Sequence, residues 1–518
     1  FEHSCAEGDT GVGVSTLRPE SVPPVAIREA VAGLGVSGET GTVSTTGVCL
    51  DSRLVRPGDL YVALPGFHSH GAAFSTQAVA RGAIAILTDP AGAQVAGETG
   101  VPVLVSDRLR PTMAEVSARV YGEPASGLEL FGVTGTNGKT TTVALLEATL
   151  TATGRRVGTI GTLGFRLDGV ALPSGRSTVT TPDSPDLQAL LALMRERGAQ
   201  AVAIEVSSHA MAMSRADALK FEVAAFLNLG RDHLDFHHNM EEYFEAKAAL
   251  FTPGHTRAAV VWIDDEHGLR IADRARRTGL PVATVGTREE ADYRLTGYEP
   301  VLPLGGRAQL RTASGEVTVE LALPGWHNMV DAAIAVAMLE RAGIPAGTTL
   351  PGLARAQVPG RMQVLPLPEK APTVIVDFAH TPQAVAATLD ALQGFGEVIT
   401  VVGCGGDRDP DKRPLMGRAA AERSDVLIIT DDNPRTEDPA RIRAAMLAGI
   451  GESRARVIEA GGRGGAIELA LATAGHGSVV AILGKGHEQG QQIGDRIVAF
   501  DDALVALEAW RRMEGSGR

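Results

Sequence analysis

The segment Leu128-Glu-Leu-Phe-Gly-Val-Thr-Gly-Thr-Asn-Gly-Lys-Thr-Thr-Thr-Val-Ala-Leu-Leu-Glu147 decides how the chain is read. Its apolar start, 128–133, has the character of a buried strand, and the spacing of apolar residues over 141–151 is that of a helix. A turn leading from a strand into a helix offers unpaired backbone N–H groups and the positive end of the helix dipole to an anion. Gly135, Thr136, Asn137, Gly138, Lys139, Thr140 and Thr141 are therefore read as a cradle for the phosphates of ATP. Lys139 would reach the outer phosphates, and the Thr140 hydroxyl would ligate Mg²⁺. The strict form of this pattern begins with glycine where the chain has Val133, and Gly132 stands one residue earlier. The loop is thus a variant, and its alternative reading is a chance glycine-rich turn.

Outward from this segment, strand and helix alternate: strand 157–160, helix 186–197, strand 201–206, strand 223–228. Such alternation implies a mostly parallel sheet covered on both faces. Before it, the apolar runs 60–64 and 83–87 and the helical stretch 75–81 read as a small α/β unit, and Gly, Pro and Ser in 121–127 mark a boundary. After the apolar helix 328–342, further Gly and Pro signals in 346–361 mark a second. Strands 373–378, 398–403, 426–430 and 479–483 then form a third unit. A length of 518 residues fits about three domains at roughly 100–200 residues each. The expected fold is α/β in three domains: a small N-terminal α/β domain (22–127), a central P-loop ATPase-like parallel sheet (128–357) and a C-terminal Rossmann-like sheet (358–518).

Composition bounds the function classes. Apolar residues make up 44% and charged residues 21%, an ordinary globular balance. No apolar run reaches the roughly 18 residues of a membrane span, so a soluble protein is expected. The first residues lack a basic start and apolar core, so no export is expected, and Phe1 in place of Met reads as a processed or trimmed terminus. Cys5, Cys49 and Cys404 have no metal-ligand spacing and fit a reducing cytoplasm. A net charge of −13 argues against nucleic acid as a partner and leaves room for a local phosphate pocket.

Two side chains are expected at strand ends near the loop: Glu205 in Ile204-Glu-Val-Ser-Ser-His209, and His233 in Asn228-Leu-Gly-Arg-Asp-His-Leu-Asp235. Ligands in open α/β sheets gather at those ends. Taken singly, each reads equally well as a surface or satisfied core residue; taken with the loop, they read as metal ligands.

These blocks, in this order and joined by Glu245-Ala-Lys247, resemble the signatures of the Mur ligases of bacterial cell-wall synthesis. The likeness extends forward to Asp51-Ser-Arg53 and Pro57-Gly-Asp-Leu60. It extends backward to Gly403-Cys-Gly-Gly-Asp-Arg-Asp409, Asp432-Asn-Pro-Arg435 and Gly484-Lys-Gly-His-Glu488, and covers about residues 48 to 510. The last three blocks are similar to those of the members that add a diamino acid. The resemblance implies a cytoplasmic, ADP-forming ligase of peptidoglycan synthesis, and hence a part in cell shape, division and the cell cycle. The γ-phosphate of ATP would pass to the D-Glu γ-carboxylate of UDP-MurNAc-L-Ala-D-Glu, and a free amine of diaminopimelate would attack the acyl phosphate. A monomer is expected, with domain closure because loop and clamp come from different domains.

Carried over position by position, the resemblance implies further roles. Thr140, Glu205, His233 and Lys247 would hold Mg²⁺, with Lys247 carbamylated; from sequence alone, a lysine on a helix is by default solvated. Arg361, in Pro359-Gly-Arg-Met362, would be a catalytic clamp beside Lys139, or else a linker arginine. Asn328, Asp377 and His380 would meet the adenine, ribose and phosphates, although the family's usual second Asn is Asp331 here, and Gly230 stands where Ser is common. Leu50, Ser52, Phe67, His68, Ser69, Thr180, Thr181, Ser207 and Arg215 would bind the nucleotide sugar; the match at Phe67 to Ser69 is loose, and a purely structural turn fits equally well. Arg408, Asp432, Asn433, Pro434, Arg435, Gly484 and Glu488 would bind diaminopimelate, its distal carboxylate gripped by Arg435, with which lysine has nothing to pair. The alternatives are a sister ligase of the folylpolyglutamate synthetase type, which lacks the Asp-Asn-Pro-Arg block, and a nucleotide-binding regulator that joins nothing.

Overall fold

The computed structural model describes residues 17–66, 68–172, 179–233, 236–301 and 304–515. Phe67 and Cys5 lie outside the described residues. The chain divides into two compact units, one running to Gly286 with Ala337–Ile344 added, the other made of Thr287–Val336 and Pro345–Arg518.

The first unit opens with four parallel strands in sequence order, Gly47–Cys49, Asp59–Ala63, Ala85–Thr88 and Val103–Val105. Successive strand residues point to opposite faces, and both faces here are buried. Leu60, Val62, Ala85 and Leu87 pack with Ile27, Met113 and Val116, while Tyr61, Ala63 and Ile86 pack with Ala72 and Ala78. A larger sheet follows, ordered Val170–Ala171, Gly164–Leu167, Val157–Gly161, Ala201–Glu205, Glu129–Thr134, Val223–Phe226, Ala259–Trp262 and Val282–Gly286. The first two strands pair antiparallel and the rest parallel. Glu129–Thr134 lies between Ala201–Glu205 and Val223–Phe226, with Val133 opposite Glu205 and Thr134 opposite Phe226. Three carboxyl ends therefore meet at one point of the edge, where ligands of such sheets collect.

The second unit holds an antiparallel meander, Tyr293–Pro300, Gly306–Thr312 and Gly315–Leu321, which the pattern reading did not anticipate. It also holds a six-stranded sheet ordered Gln363–Val364, Thr373–Asp377, Val479–Leu483, Val398–Val402, Val426–Ile429 and Arg456–Glu459. Only the first pairing is antiparallel. Val398–Val402 and Val479–Leu483 are buried at every position, as continuous apolar runs should be in a parallel sheet covered twice. The segment 346–361, read as a boundary from its Gly and Pro, contains the helix Ala346–Leu353 with Pro351 inside it. A short hairpin, Gly490–Ile493 with Arg496–Ala499, closes the region after the last core strand.

Candidate active site

The phosphate loop leaves the sheet at Thr134, and helix Lys139–Ala152 begins behind Gly138, whose φ is +89°. A Cβ on Gly135 would stand 2.8 Å from Leu227 Cβ, so only glycine lets the loop lie so close to the neighbouring strand's exit. Thr136 N donates to Asn228 O at 3.0 Å and Asn137 N to Asn228 Oδ1 at 2.9 Å, tying the loop to the chain beyond Phe226. Lys139 Nζ donates to the Gly135 and Thr136 carbonyls, each at 2.9 Å.

Lys247 meets the same carbonyl, its Nζ 2.8 Å from Gly135 O. It sits on helix Met240–Ala248 and is only 1% exposed, so the solvated reading of this lysine is corrected. The helix turns this face inward because Tyr243, Phe244 and Ala248 on it are buried too. Burial, then the charge of Lys139, hold the Lys247 amine well below the usual lysine range, against a weaker pull from Asp232. Tyr243 supports the arrangement: its ring lies 4.6 Å from Lys247 Nζ and its hydroxyl is 3.1 Å from Thr136 Oγ1. Burial raises this phenol far above its ordinary value.

Glu205 is buried at the strand end where it was expected, its carboxylate accepting from Thr162 N (2.8 Å) and Thr162 Oγ1 (3.0 Å). It shares a pocket with Thr140, Glu147, Thr159 and Gly161. Burial raises the Glu147 carboxyl in the same pocket. His233 is not at a strand end, which corrects the second expectation. It stands in the loop beyond Phe226 with a left-handed backbone, φ +53°, its ring centroid 5.0 Å from His209 and 6.1 Å from Tyr243. Among the described residues no group of three or more His, Cys, Asp or Glu is arranged to hold a metal ion.

Next to Glu205, four of the nucleotide-sugar candidates come together. Thr181 Oγ1 donates to Glu205 O (2.7 Å) and accepts from Ser207 N (3.1 Å), and Arg215 NH1 donates to Thr181 O (2.8 Å). Thr180 Oγ1 lies 3.4 Å from Thr162 Oγ1. Asp183, absent from the sequence reading, orients Arg215 through Nε at 3.1 Å. In the small parallel sheet, Ser52 is buried and donates to Gln77 Oε1 at 2.7 Å, Leu50 is half-buried, and His68 and Ser69 are exposed.

In the second unit, Asp432 to Arg435 follow strand Val426–Ile429 and face the turn after strand Val479–Leu483. A Cβ on Gly484 would stand 2.6 Å from Asp432 Oδ2, and its φ is +115°, so glycine is required twice over at this close approach. Asn433 Nδ2 donates to Glu488 Oε2 at 2.9 Å. Arg435 has φ +51° and donates through NH1 to Gly406 O at 2.6 Å. Arg408 is exposed nearby in the chain.

The adenine candidates divide. Asn328 is buried, donating to Pro324 O at 2.6 Å, and Asp331 is buried one turn on. Asp377 is engaged within its own unit: one oxygen accepts from Ala379 N (2.9 Å) and Thr388 Oγ1 (3.2 Å), the other from Met362 N (2.6 Å). This sets the left-handed turn after Arg361, a role that the sequence reading missed. The Arg361 guanidinium lies 4.3 Å from the Phe378 ring centroid, and His380 is exposed, its Nδ1 donating to Phe378 O at 2.8 Å.

Comparison with known proteins places this geometry. Residues 44–121 match the profile of the Mur ligase family catalytic domain, 133–339 that of the Mur ligase middle domain and 360–486 that of the Mur ligase glutamate ligase domain. The chain is 43% identical, over 96% of its length and 99% of the relative's, to the UDP-N-acetylmuramoyl-L-alanyl-D-glutamate--2,6-diaminopimelate ligase of Streptomyces coelicolor. It is 44% identical to the protein of that name from Corynebacterium efficiens, over 90% of each chain. A solved structure of a ligase of the same name superposes with a TM-score of 0.68 at 31% identity, covering 95% of this chain and 100% of that one.

Proposed function

Since the chain belongs to the Mur ligase family, we propose that it joins meso-2,6-diaminopimelate to the D-Glu of UDP-MurNAc-L-Ala-D-Glu, cleaving ATP to ADP and phosphate. The relatives named for this reaction support the reading across nearly the whole chain. The observation that carries the choice of amino acid is the turn cluster in which Asn433 links the Arg435 loop to Glu488. A guanidinium there matches the distal carboxylate of diaminopimelate, and a carboxylate matches its ammonium groups.

The loop amides of 135–141 and Lys139 bind and orient the phosphates, so that negative charge developing on the transferred phosphoryl group meets donors already in place. Arg361 adds a guanidinium clamp. The D-Glu carboxylate becomes an acyl phosphate, phosphate is a good leaving group, and the amine of diaminopimelate displaces it. Thr181, Ser207 and Arg215 position the nucleotide-linked substrate beside Glu205, with Ser52 and the turn near His68 and Ser69 as further contacts. Thr140 and Glu205 line one pocket and offer the hard oxygen donors that Mg²⁺ prefers, with His233 as a further candidate. When bound, the metal supplies charge compensation for the phosphates. Burial lowers the proton affinity of Lys247, which favours the neutral amine, the form of lysine that adds carbon dioxide. The resulting carbamate would extend the oxygen donor set.

ADP release measured with both carbon substrates, with each omitted, and with lysine in place of diaminopimelate tests the proposal. Release that requires both UDP-MurNAc-L-Ala-D-Glu and diaminopimelate is expected, with lysine poorly used. Release independent of either substrate, or equal use of lysine, overturns it.

A further inference from the structure

A lysine in a glycine-rich turn is ordinarily solvated, yet Lys485 is fully buried. Burying an ammonium is costly unless its donors are satisfied, and each of the three finds an acceptor. Nζ donates to Gly490 O at 2.6 Å, to Glu488 Oε2 at 2.9 Å and to Asn433 Oδ1 at 3.3 Å. Those acceptors belong to three segments: the hairpin that starts at Gly490, the turn 484–488 and the loop 432–435.

The bonds also fix which atoms remain available. Asn433 Oδ1 accepts from Lys485 and from Gln492 N at 2.9 Å, so the amide is oriented and its Nδ2 turns to Glu488 Oε2. Glu488 Oε2 thus takes two donors, while Oε1 accepts none among the described residues and the side chain is 37% exposed. The hairpin is fastened to the same loop, with Arg435 N donating to Gln492 O at 3.0 Å and Gly494 N to Arg435 O at 2.7 Å. The backbone of Arg435 is therefore tied to the hairpin whose base Lys485 grips.

We propose that Lys485 is a positioning residue for amino-acid selection: it holds Glu488 with one oxygen forward for an ammonium group and keeps Glu488 and Arg435 at a set separation. This rests on the ligase reading above. Lys485 itself is sealed beneath the cluster and offers no exposed surface to a ligand.

The test is a double-mutant cycle on the full chain, reading ADP release with diaminopimelate, ATP and UDP-MurNAc-L-Ala-D-Glu each varied. Lys485→Met keeps most of the stem and removes the charge. Its KM for diaminopimelate should rise about 30-fold or more, the scale of losing one partner of a buried charged pair, with KM for ATP unchanged. In the Glu488→Gln background the same substitution should add little, because partners in one network are non-additive. Lys485→Arg retains the charge, which guards against simple misfolding, but spreads its donors over a plane and should give an intermediate KM. Independent, additive effects of Lys485→Met and Glu488→Gln, or equal rises in KM for ATP and diaminopimelate, overturn the inference. Wild-type protein without diaminopimelate-dependent turnover overturns the ligase reading and this inference with it. Wild-type turnover beside an unaffected Lys485→Met overturns the inference alone.

Discussion

At the scale of single residues, Lys247 and Arg435 make the sharpest predictions. Between the lowered value of the buried amine and the ordinary lysine value of 10.5, the unfolded chain holds a proton on Lys247 that the folded chain does not. Unfolding then takes up a proton, so this residue makes stability rise with pH, a contribution that levels off once the pH passes 10.5. Thermal unfolding across that window, in buffer free of carbon dioxide, should give a smaller slope for Lys247→Met than for wild type. Labelled bicarbonate should give a carbamate ¹³C signal in wild type that the variant lacks. Arg435→Lys keeps a positive charge but loses the planar fork, so discrimination for diaminopimelate over lysine should fall by at least about tenfold. Competition between the two amino acids, read as product ratios, measures it.

At the scale of elements, the site depends on backbones brought closer than side chains allow. Gly135 faces Leu227 and Gly484 faces Asp432 at distances that a Cβ would violate. Gly484→Ala should raise KM for diaminopimelate while leaving KM for ATP near wild type, and Gly135→Ala should do the reverse; steady-state kinetics of both variants provide the check. The loop motif and the Asp-Asn-Pro-Arg block could be read in the sequence because each is a short run with a local purpose. Thr162 and Asp183 could not, because each acts on a partner far along the chain and belongs to no motif. The meander 293–321 was missed for a related reason: its middle strand, Gly306–Thr312, alternates in burial, but Gly, Arg and Gln blur that alternation in sequence.

At the scale of the whole molecule, both units carry buried parallel sheets, and a long-range buried ion pair fastens the last helix. Arg463 and Asp502 are both fully buried, joined at 2.7 Å, and Arg463 also donates to Leu483 O at 2.9 Å. This ties the helix Asp502–Gly515 to the strand that leads into the Glu488 turn. Asp502→Asn removes the countercharge from a buried guanidinium and should lower stability by about 3–5 kcal/mol, visible as a lower urea midpoint. Arg463→Met with Asp502→Leu should recover much of the loss, since an apolar pair of similar volume avoids the desolvation of both charges.

By itself the sequence determined the α/β alternation, the strand-loop-helix at 128–147 and the family, and it supplied the residues proposed for both substrate pockets, because these depend on short-range periodicity and on contiguous motifs. Only the tertiary structure decided which of those side chains are available for chemistry. It buried Lys247 and lowered the proton affinity of its amine, engaged Asp377 with Met362, Ala379 and Thr388 and placed His233 in a loop beside His209. It also put Lys485 beneath Glu488. Burial and hydrogen-bond partners are set by segments that meet only after folding, and they, rather than residue type, decide charge and orientation.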